Sequence, residues 1–590
     1  MENVKQIYQE RITAFNKAKN KIQQQLLIFS LLRLSVFAIC VFLIFQFWGE
    51  ARSIGLIVVI SALVFIMLIR FFAKAKYEKQ KLEALIQINK TEQKTNLSNF
   101  GFYANGEQYQ DGLHEFSEDT DLFGERSFFQ YINRTQLVEG ERNLANQLKS
   151  NHIKAILDKQ EFVKEMAQKI DFRQEFAAHA QLLQTEEKIQ TIITWINTYK
   201  THVPKWMKWF PYVFSLASLV VIFLFFTEII QLTQFLLWIF IGLVITGFYI
   251  KKSNALSQAL GRVQASFQQY AKLLQLIEDA EFTSKKGRAY QTQIKEDQQN
   301  FSVLLQQFSK QIDNFEQRNN MLLGLVFNGF FLWDLMQSYK IEQWILAHRL
   351  KVENVFNVIA DLDAWCSLGN FCFNHIDYVF PEINTKATTQ LQVDKAIHPL
   401  LNTKITVAND IGLEAKNFVI LTGANMAGKS TFLRTLALQI IMANTGLPVR
   451  ASKCIYRPIK LITSMRTSDS LADESSYFYA ELTRLKQIVD TLQKEPYFVI
   501  LDEILKGTNS KDKAIGAQKF VKRLWKENAV GIIATHDLSL CSLADESTNI
   551  ENYYFDAEIE NDELHFDYTL KKGICQNMNA SFLLEKMGLV

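Results

Sequence analysis

Four apolar stretches, Leu26–Trp48, Ser53–Ala73, Trp209–Thr227 and Ile229–Ile250, interrupt a chain that otherwise alternates polar and apolar residues at helical spacing. Each is close to the roughly 20 residues that a helix needs to cross the hydrocarbon core of a bilayer. They come in two pairs with short turns, "GEAR" in the first and a turn around "TE" in the second. Each pair therefore predicts a helical hairpin that crosses and returns. Basic residues gather at the outer ends: "NKAKNK" and "AKAKYEKQK" flank the first pair, "KWMKW" and "KK" the second. The positive-inside rule then puts all four ends in the cytoplasm. The expectation is a multi-pass protein of the inner (cytoplasmic) membrane, with its N-terminus and C-terminal domain in the cytoplasm. Trp48, Trp206 and Trp209 suit interfacial belts, and Arg33 and Arg70 lie near enough to helix ends to snorkel. Helices of a large soluble core would also be apolar, but over such lengths they seldom lack a polar face. The residues before the first stretch are mostly polar, which argues against a cleaved signal peptide.

Between and after these stretches the texture changes twice. Residues 1–25 and Lys74–Lys94 predict polar or charged helix that continues the first hairpin outward. Thr95–Asp121, rich in Asn, Gly, Glu and Asp, predicts a linker. From Leu122 to about Tyr378 the pattern is helical apart from the second hairpin at 209–250. Its flanks, Ile153–Lys200 and Ser253–Lys340, predict a pair of long antiparallel helices with the hairpin at their tip. From about Asn384 short β-branched runs alternate with helical patterns, which implies a parallel α/β sheet. The expected division is 1–94, 95–121, 122–383 and 384–590, without internal repeats.

Composition adds little to this picture but excludes several classes. Only 7 prolines in 590 residues agree with a mostly helical chain. A formal net charge of +3 suggests neither a nucleic-acid-coating protein nor an acidic tail. The six cysteines are scattered without CxxC spacing, so no disulfide framework or zinc site is expected and a reducing compartment fits.

The chemistry concentrates in the C-terminal third. "VILTGANMAGKSTFLRTL" places a strand, a small-residue loop and a helix in succession. Gly423, Ala424, Asn425, Met426, Ala427, Gly428, Lys429, Ser430 and Thr431 fit a GxxxxGK[ST] phosphate loop in the strand-to-helix setting that this motif requires. Loop N–H groups and the helix N-terminus can cradle phosphates, Lys429 can reach the β/γ-phosphates and Ser430 can hold Mg²⁺. In "PYFVILDEILKGTNSKD", Asp502 and Glu503 stand at the C-terminal end of a strand, the edge where parallel sheets bind ligands. Asp502 can join the Mg²⁺ shell, and Glu503 can orient or deprotonate an attacking water. "VGIIATHD" ends another strand at His536, within reach of a γ-phosphate. A single acidic or histidine strand end is usually structural; three such ends in one sheet point to ATP hydrolysis.

These pieces together carry a resemblance. "LTGANMAGKSTFLR", "LDEILKGTNSKD" and "ATHD" look like the ATPase domain of the MutS family of mismatch-repair proteins, a branch of the ABC-type ATPases. "TSDSLADESSYFYAEL" resembles the family's loop ending in Ser-Thr-Phe, with Ser475 and Ser476 in the serine region. That resemblance implies contact with the ATP of a partner subunit, hence a homodimer with composite sites. "FDYTLKKGICQNMNASFLLEKMGL", "DLFGERSFFQYINRTQLVEGERNLANQL" and "VIADLDAWCSLGNF" are similar to further parts of the family pattern, so the likeness extends over about Asp121–Val590. The implied fold class is an α-helical N-terminal and core/lever region with two transmembrane hairpins, followed by an α/β P-loop (ABC-type) ATPase domain.

The departures separate two functions. No mismatch-reading domain with a Phe-x-Glu wedge is recognised, and the hairpins stand where the reading domains and the DNA-gripping clamp would be. No C-terminal helix-turn-helix dimer module is recognised before Val590. The adenine-stacking aromatic expected upstream of the loop is not evident among Ile405, Thr406 and Val407. One expectation is a membrane-anchored MutS-family ATPase that couples ATP hydrolysis to its helical core and to an unknown protein partner. The other is a DNA-binding, repair-related ATPase tethered to the membrane. A transporter is disfavoured, because no ionisable residue lies near mid-span.

Overall fold

The computed structural model describes residues 2–183, 189–296, 299–385, 388–402, 406–465, 477–506, 509–527, 529–560 and 563–576. Two long helices, Glu2–Gln46 and Ala51–Lys94, form the first hairpin. Each continues without a break from a polar half into an apolar half. The polar halves are the ones that pack: Tyr8, Ile12, Leu82, Leu85 and Ile86 are buried. Tyr8 Oη donates to Asn374 Oδ1 at 2.7 Å, and Asn89 Nδ2 donates to Gln174 Oε1 at 2.8 Å. The apolar halves stand exposed, from Leu27 to Phe71. This inverts the usual order of burial and makes both helices long and apolar enough to cross a membrane.

The second apolar pair is built differently. Phe210–Phe226 and Leu232–Gly247 are shorter helices. They are held together by stacked rings, Phe214 on Trp238 at 4.9 Å and Phe225 on Phe235 at 4.4 Å, and by Trp238 Nε1 donating to Ser218 Oγ at 2.8 Å. A 65° bend follows Gly247 and leads into Ile250–Asp279. A third apolar helix, Met321–Phe331, packs on the pair. It then turns by 82° into the longest core helix, Trp333–Asn374.

The pair of long antiparallel helices expected around this hairpin is not formed. The first flank divides into Ile156–Gln168, Ile170–Gln181 and Ile189–Thr198. The second divides into Ile250–Asp279, Lys285–Gln293, a two-stranded ribbon, Phe301–Glu316 and Met321–Phe331. Local polar chemistry makes the breaks. Ser284 caps a new helix by accepting from the Gly287 N–H, while the buried Glu165 carboxylate accepts from the N–H groups of Thr283 and Ser284. The core axis is instead Trp333–Asn374, which buries its own Phe356 and against which the neighbouring helices bury Phe162, Phe267 and Phe308.

Thr95–Asp121, expected as a linker, is packed between the helical core and the C-terminal region. Phe100, Phe116, Ser117 and Thr120 are buried. The Glu115 carbonyl accepts from Thr463 N at 2.9 Å and from Arg484 Nη2 at 2.6 Å, and Asp119 accepts from Thr463 Oγ1 at 2.6 Å. Its polar composition serves these contacts as well as its turns.

The C-terminal region contains a six-stranded sheet in the order Leu570–Lys572, Ile550–Phe555, Phe418–Gly423, Val530–Ala534, Tyr497–Asp502, Lys460–Ser464. All neighbours run parallel except the first pair. Both faces are covered, by Lys429–Thr445 on one side and by Tyr477–Leu492 and Ser510–Lys526 on the other. This explains why the central strands read as unbroken apolar runs. The single parallel sheet expected from the sequence is incomplete as a description. A second, mostly antiparallel sheet of Glu382–Ile383, Lys453–Tyr456, Thr389–Ala396 and Asn409–Glu414 lies beside it, and its half-buried strands carry only alternating apolar residues.

Candidate functional site

Three neighbouring strands deliver the candidate residues to one edge. Leu421 lies in register with Ala534, and Ala534 with Asp502. The loop after Phe418–Gly423, the Asp502–Glu503 turn and the Thr535–His536 turn therefore leave the sheet at one level. Backbone geometry explains the loop's glycines. Gly423 has φ 144°, and a Cβ there would stand 2.5 Å from the Phe555 carbonyl oxygen. Gly428, at φ 103°, precedes the helix Lys429–Thr445. No side chain caps that helix, so its first N–H groups face the loop. Met426 takes a left-handed conformation and points its side chain outward, 79% exposed.

Asn425, Met426, Gly428, Lys429, Ser430, Thr431, Asp502, Glu503, Lys506 and His536 line one polar cleft of about 270 Å³. Ser430 Oγ donates to Asp502 Oδ2 at 2.5 Å. Lys429 Nζ donates to the carbonyls of Gly423 and Ala424 at 2.8 and 2.9 Å and lies 3.3 Å from His536 Nε2. Glu503 Oε1 is 3.0 Å from the same His536 nitrogen. A carboxylate only accepts, whereas Lys429 already has two acceptors, so the proton of a neutral His536 belongs on Nε2 and is donated to Glu503. Burial lowers the His536 pKa, Lys429 adds to the effect, and Glu503 opposes it, which keeps the ring neutral near pH 7. Burial also lowers the Lys429 pKa, against the pull of Asp502 and Glu503. Ala424 and Ala427 complete the loop, the latter buried beneath it.

The turn that carries Glu503 is conformationally costly. Glu503 and Leu505 both have positive φ, 51° and 61°. Two contacts hold it. Glu503 N donates to the Ala534 carbonyl at 2.9 Å. The buried Glu481 carboxylate accepts from Leu505 N at 2.5 Å and Lys506 N at 3.1 Å. Glu481 lies in the first turns of Tyr477–Leu492, a few residues after Ser475 and Ser476 in the sequence. Those two serines lie outside the described residues.

Sequence reasoning missed Glu481, Lys506 and Tyr568. Lys506 Nζ is 3.6 Å from Glu503 Oε2 and shares the cleft, although its sequence offers no signal beyond adjacency to the Asp-Glu pair. Tyr568 comes from a distant segment. Its backbone carbonyl accepts from Asn409 Nδ2 at 3.0 Å, and its partly exposed ring lies against Gly428, 3.2 Å from where a Cβ would be. An aromatic thus stands at the loop's flank, although none is evident just upstream of it. Among the described residues, no group of three or more His, Cys, Asp or Glu forms a metal cluster.

Residues 419–584 match the family model of MutS domain V. The chain is 30% identical over 252 residues to the human protein named MutS protein homolog 4, covering 41% of this chain and 26% of that protein. It is 28% identical over 255 residues to the DNA mismatch repair protein MutS of Natronomonas pharaonis, covering 42% and 29%. It is 28% identical over 249 residues to the protein of the same name from Clostridium botulinum, strain Okra, covering 40% and 26%. The chain thus spans less than a third of the length of these curated relatives. The matches support a MutS-family origin for the C-terminal region.

Proposed function

We propose that this chain is a membrane-anchored ATPase of MutS type, which hydrolyses ATP as a homodimer and passes the resulting movement to its helical core. The observation that carries this reading is the meeting of Lys429, Ser430, Asp502, Glu503 and His536 in one cleft at the C-terminal edge of a parallel sheet. Loop and helix N–H groups would bind the phosphates, whose oxygens would compete with the Gly423 and Ala424 carbonyls for the Lys429 ammonium. The Ser430 hydroxyl and Asp502 carboxylate are hard oxygen donors, a set that fits Mg²⁺ when substrate phosphates complete the shell. They would hold Mg²⁺, which neutralises phosphate charge. Glu503 would accept a proton from the attacking water, and the neutral His536, bonded to it, would orient that carboxylate. Tyr568, beside Gly428, would offer its ring to the base. Ser475 and Ser476 are proposed to complete the partner's site.

The anchoring half of the proposal rests on the two exposed apolar hairpins and their basic ends. It places the N-terminus and the ATPase region on the cytoplasmic side of the inner membrane. A second reading, ATP-dependent DNA binding, is favoured by the names of the relatives. It predicts duplex binding that weakens steeply with salt.

Glu503→Gln tests the first reading. It should retain ATP binding and slow turnover by on the order of 10²–10⁴, the usual contribution of a positioned base. Turnover equal to wild type would overturn the assignment of Glu503, and with it the hydrolytic reading of the cleft.

A further inference from the structure

Met321–Phe331 presents an exposed apolar surface over its first turns. Met321 and Leu322 are 86% and 78% exposed, and Leu323, Leu325 and Val326 are 42%, 47% and 43% exposed. No residue of the helix before Asn328 is polar, so it lacks the charged face with which an amphipathic helix meets a membrane from the water side. Its last turn docks on the second apolar hairpin. Phe330 packs on Phe235 with ring centroids 5.5 Å apart. Gly329 and Gly242 bring the backbones together so closely that a Cβ on Gly242 would stand 2.3 Å from the Gly329 carbonyl oxygen. Such small-residue crossings are typical of helices packed in lipid. The exposed surface therefore continues that of Phe210–Phe226 and Leu232–Gly247, where Leu219 and Phe240 are more than half exposed.

The helix is too short to cross. Its 11 residues span about 16 Å, half of a hydrocarbon core. Both of its ends are tied to one polar collar. Arg318, just before it, pairs with Asp334, just after it, at 3.0 Å, and both side chains are nearly fully buried. Arg318 Nη2 also donates to Asn254 Oδ1 at 2.6 Å, and Trp333 Nε1 donates to the Asn314 carbonyl at 2.8 Å. A helix whose two flanking residues are paired with each other doubles back to one collar instead of crossing, and its last turn meets Leu232–Gly247 at Phe235, Ile239 and Gly242. The chain then turns by 82° into Trp333–Asn374, which runs about 63 Å through the core to Asn374, the residue that accepts from Tyr8.

We infer that Met321–Phe331 is a third membrane element, a helix embedded in the plane of the cytoplasmic leaflet among the acyl chains, which ties the far end of the long core helix to lipid. This rests on the membrane-anchor reading above. The full chain, unmutated, is reconstituted in vesicles of phosphatidylethanolamine and phosphatidylglycerol and probed in two ways. Hydroxyl radicals in the water compare Met321 with Met426, a methionine of similar exposure at the nucleotide loop. Lipids carrying a carbene precursor, either near the carbonyl or at the methyl end of the acyl chain, map contact and depth. The expected result is Met321 oxidation several-fold slower than that of Met426, with adducts on Met321–Val326 favouring the carbonyl-proximal probe, while Leu219 and Phe240 favour the methyl-end probe. If Leu219 and Phe240 take adducts but Met321 oxidises as fast as Met426 and its helix takes none, the inference fails and the anchor stands. Adducts on Met321–Val326 that favour the methyl-end probe would also overturn it, because the helix would then run deep. If neither hairpin takes adducts, the anchor reading fails and the inference falls with it.

Discussion

The candidate cleft and the second apolar hairpin are held together by opposite means. In the cleft, charge and hydrogen bonding decide the geometry: Lys429 on two carbonyls, Ser430 on Asp502, Glu503 on His536, and Glu481 on two backbone N–H groups. At the hairpin, size decides it: Gly242 against Gly329, with stacked Phe225 and Phe235 beside them. The lesson is that isosteric changes of charge should disable the first region and spare the second, whereas changes of volume should do the reverse.

The largest expected effect is on the cleft. Lys429→Met keeps most of the side chain's volume and removes its charge. ATP affinity, measured by titration with a fluorescent analogue, should fall by about 100-fold or more, because a charge-assisted phosphate contact in a partly buried site is lost. The lipid adduct pattern of the hairpins should not change. Affinity within a factor of about 2 of wild type would remove Lys429 from the phosphate site and blur the contrast between the regions.

Next in size is a pH effect at the junction between the regions. His375 is half-buried among Tyr131, Phe371 and Tyr378. It accepts at Nε2 from Tyr131 Oη at 2.9 Å and donates from Nδ1 to the Phe371 carbonyl at 2.8 Å. Burial pushes its pKa down from 6.5 to about 4, with Arg134 and Arg450 adding to the shift. The unfolded chain therefore binds the proton more readily. The stability contributed by the neutral ring is fully present above pH 6.5 and is lost as pH falls toward 4. The loss amounts to about 3 kcal/mol at this site. Urea unfolding of wild type and His375→Gln across this range should show a steeper fall for wild type; parallel curves would contradict the burial of a neutral ring.

A volume change at the hairpin should cost somewhat less. Gly242→Leu must push the Gly329 backbone away, at about 1–3 kcal/mol, the usual penalty for overpacking. Limited proteolysis should open the segment around Asn320, while nucleotide affinity stays as in wild type. A large loss of ATP binding would show that the two regions are coupled even in the resting state.

The smallest effect sharpens the comparison inside the cleft. Glu481→Ala releases the N–H groups of Leu505 and Lys506 and frees the strained turn, but touches no phosphate-binding group. Turnover should fall by about 10-fold, equivalent to about 1.4 kcal/mol, with ATP affinity nearly unchanged. Equal losses in both would mean that Glu481 supports the whole cleft and not the Glu503 turn alone.

What was legible in the sequence is what local chemistry determines. The strand-to-helix setting of the Gly423–Thr431 loop could be read because its small residues stand in one continuous run between an apolar strand pattern and a helical one. Asp502, Glu503 and His536 could be read because each ends a buried apolar strand, and strand ends of a parallel sheet share an edge. The apolar halves of the first hairpin were equally plain, since so long a run with so few polar residues has few ways to be stable. What only the tertiary structure decided is what depends on distant partners. Glu481 looks like any helical glutamate until the Leu505–Lys506 backbone is placed against it. Tyr568 looks like a strand-end aromatic until Asn409 draws its segment to Gly428. Thr95–Asp121 has the composition of a linker, but its carbonyl and carboxylate groups are consumed by Thr463 and Arg484, hundreds of residues away. Met321–Phe331 was hidden because its apolar run is half the length that signals a membrane crossing. Its meaning comes from the 82° turn, the Arg318–Asp334 collar and the glycine contact, none of which is a property of the run itself.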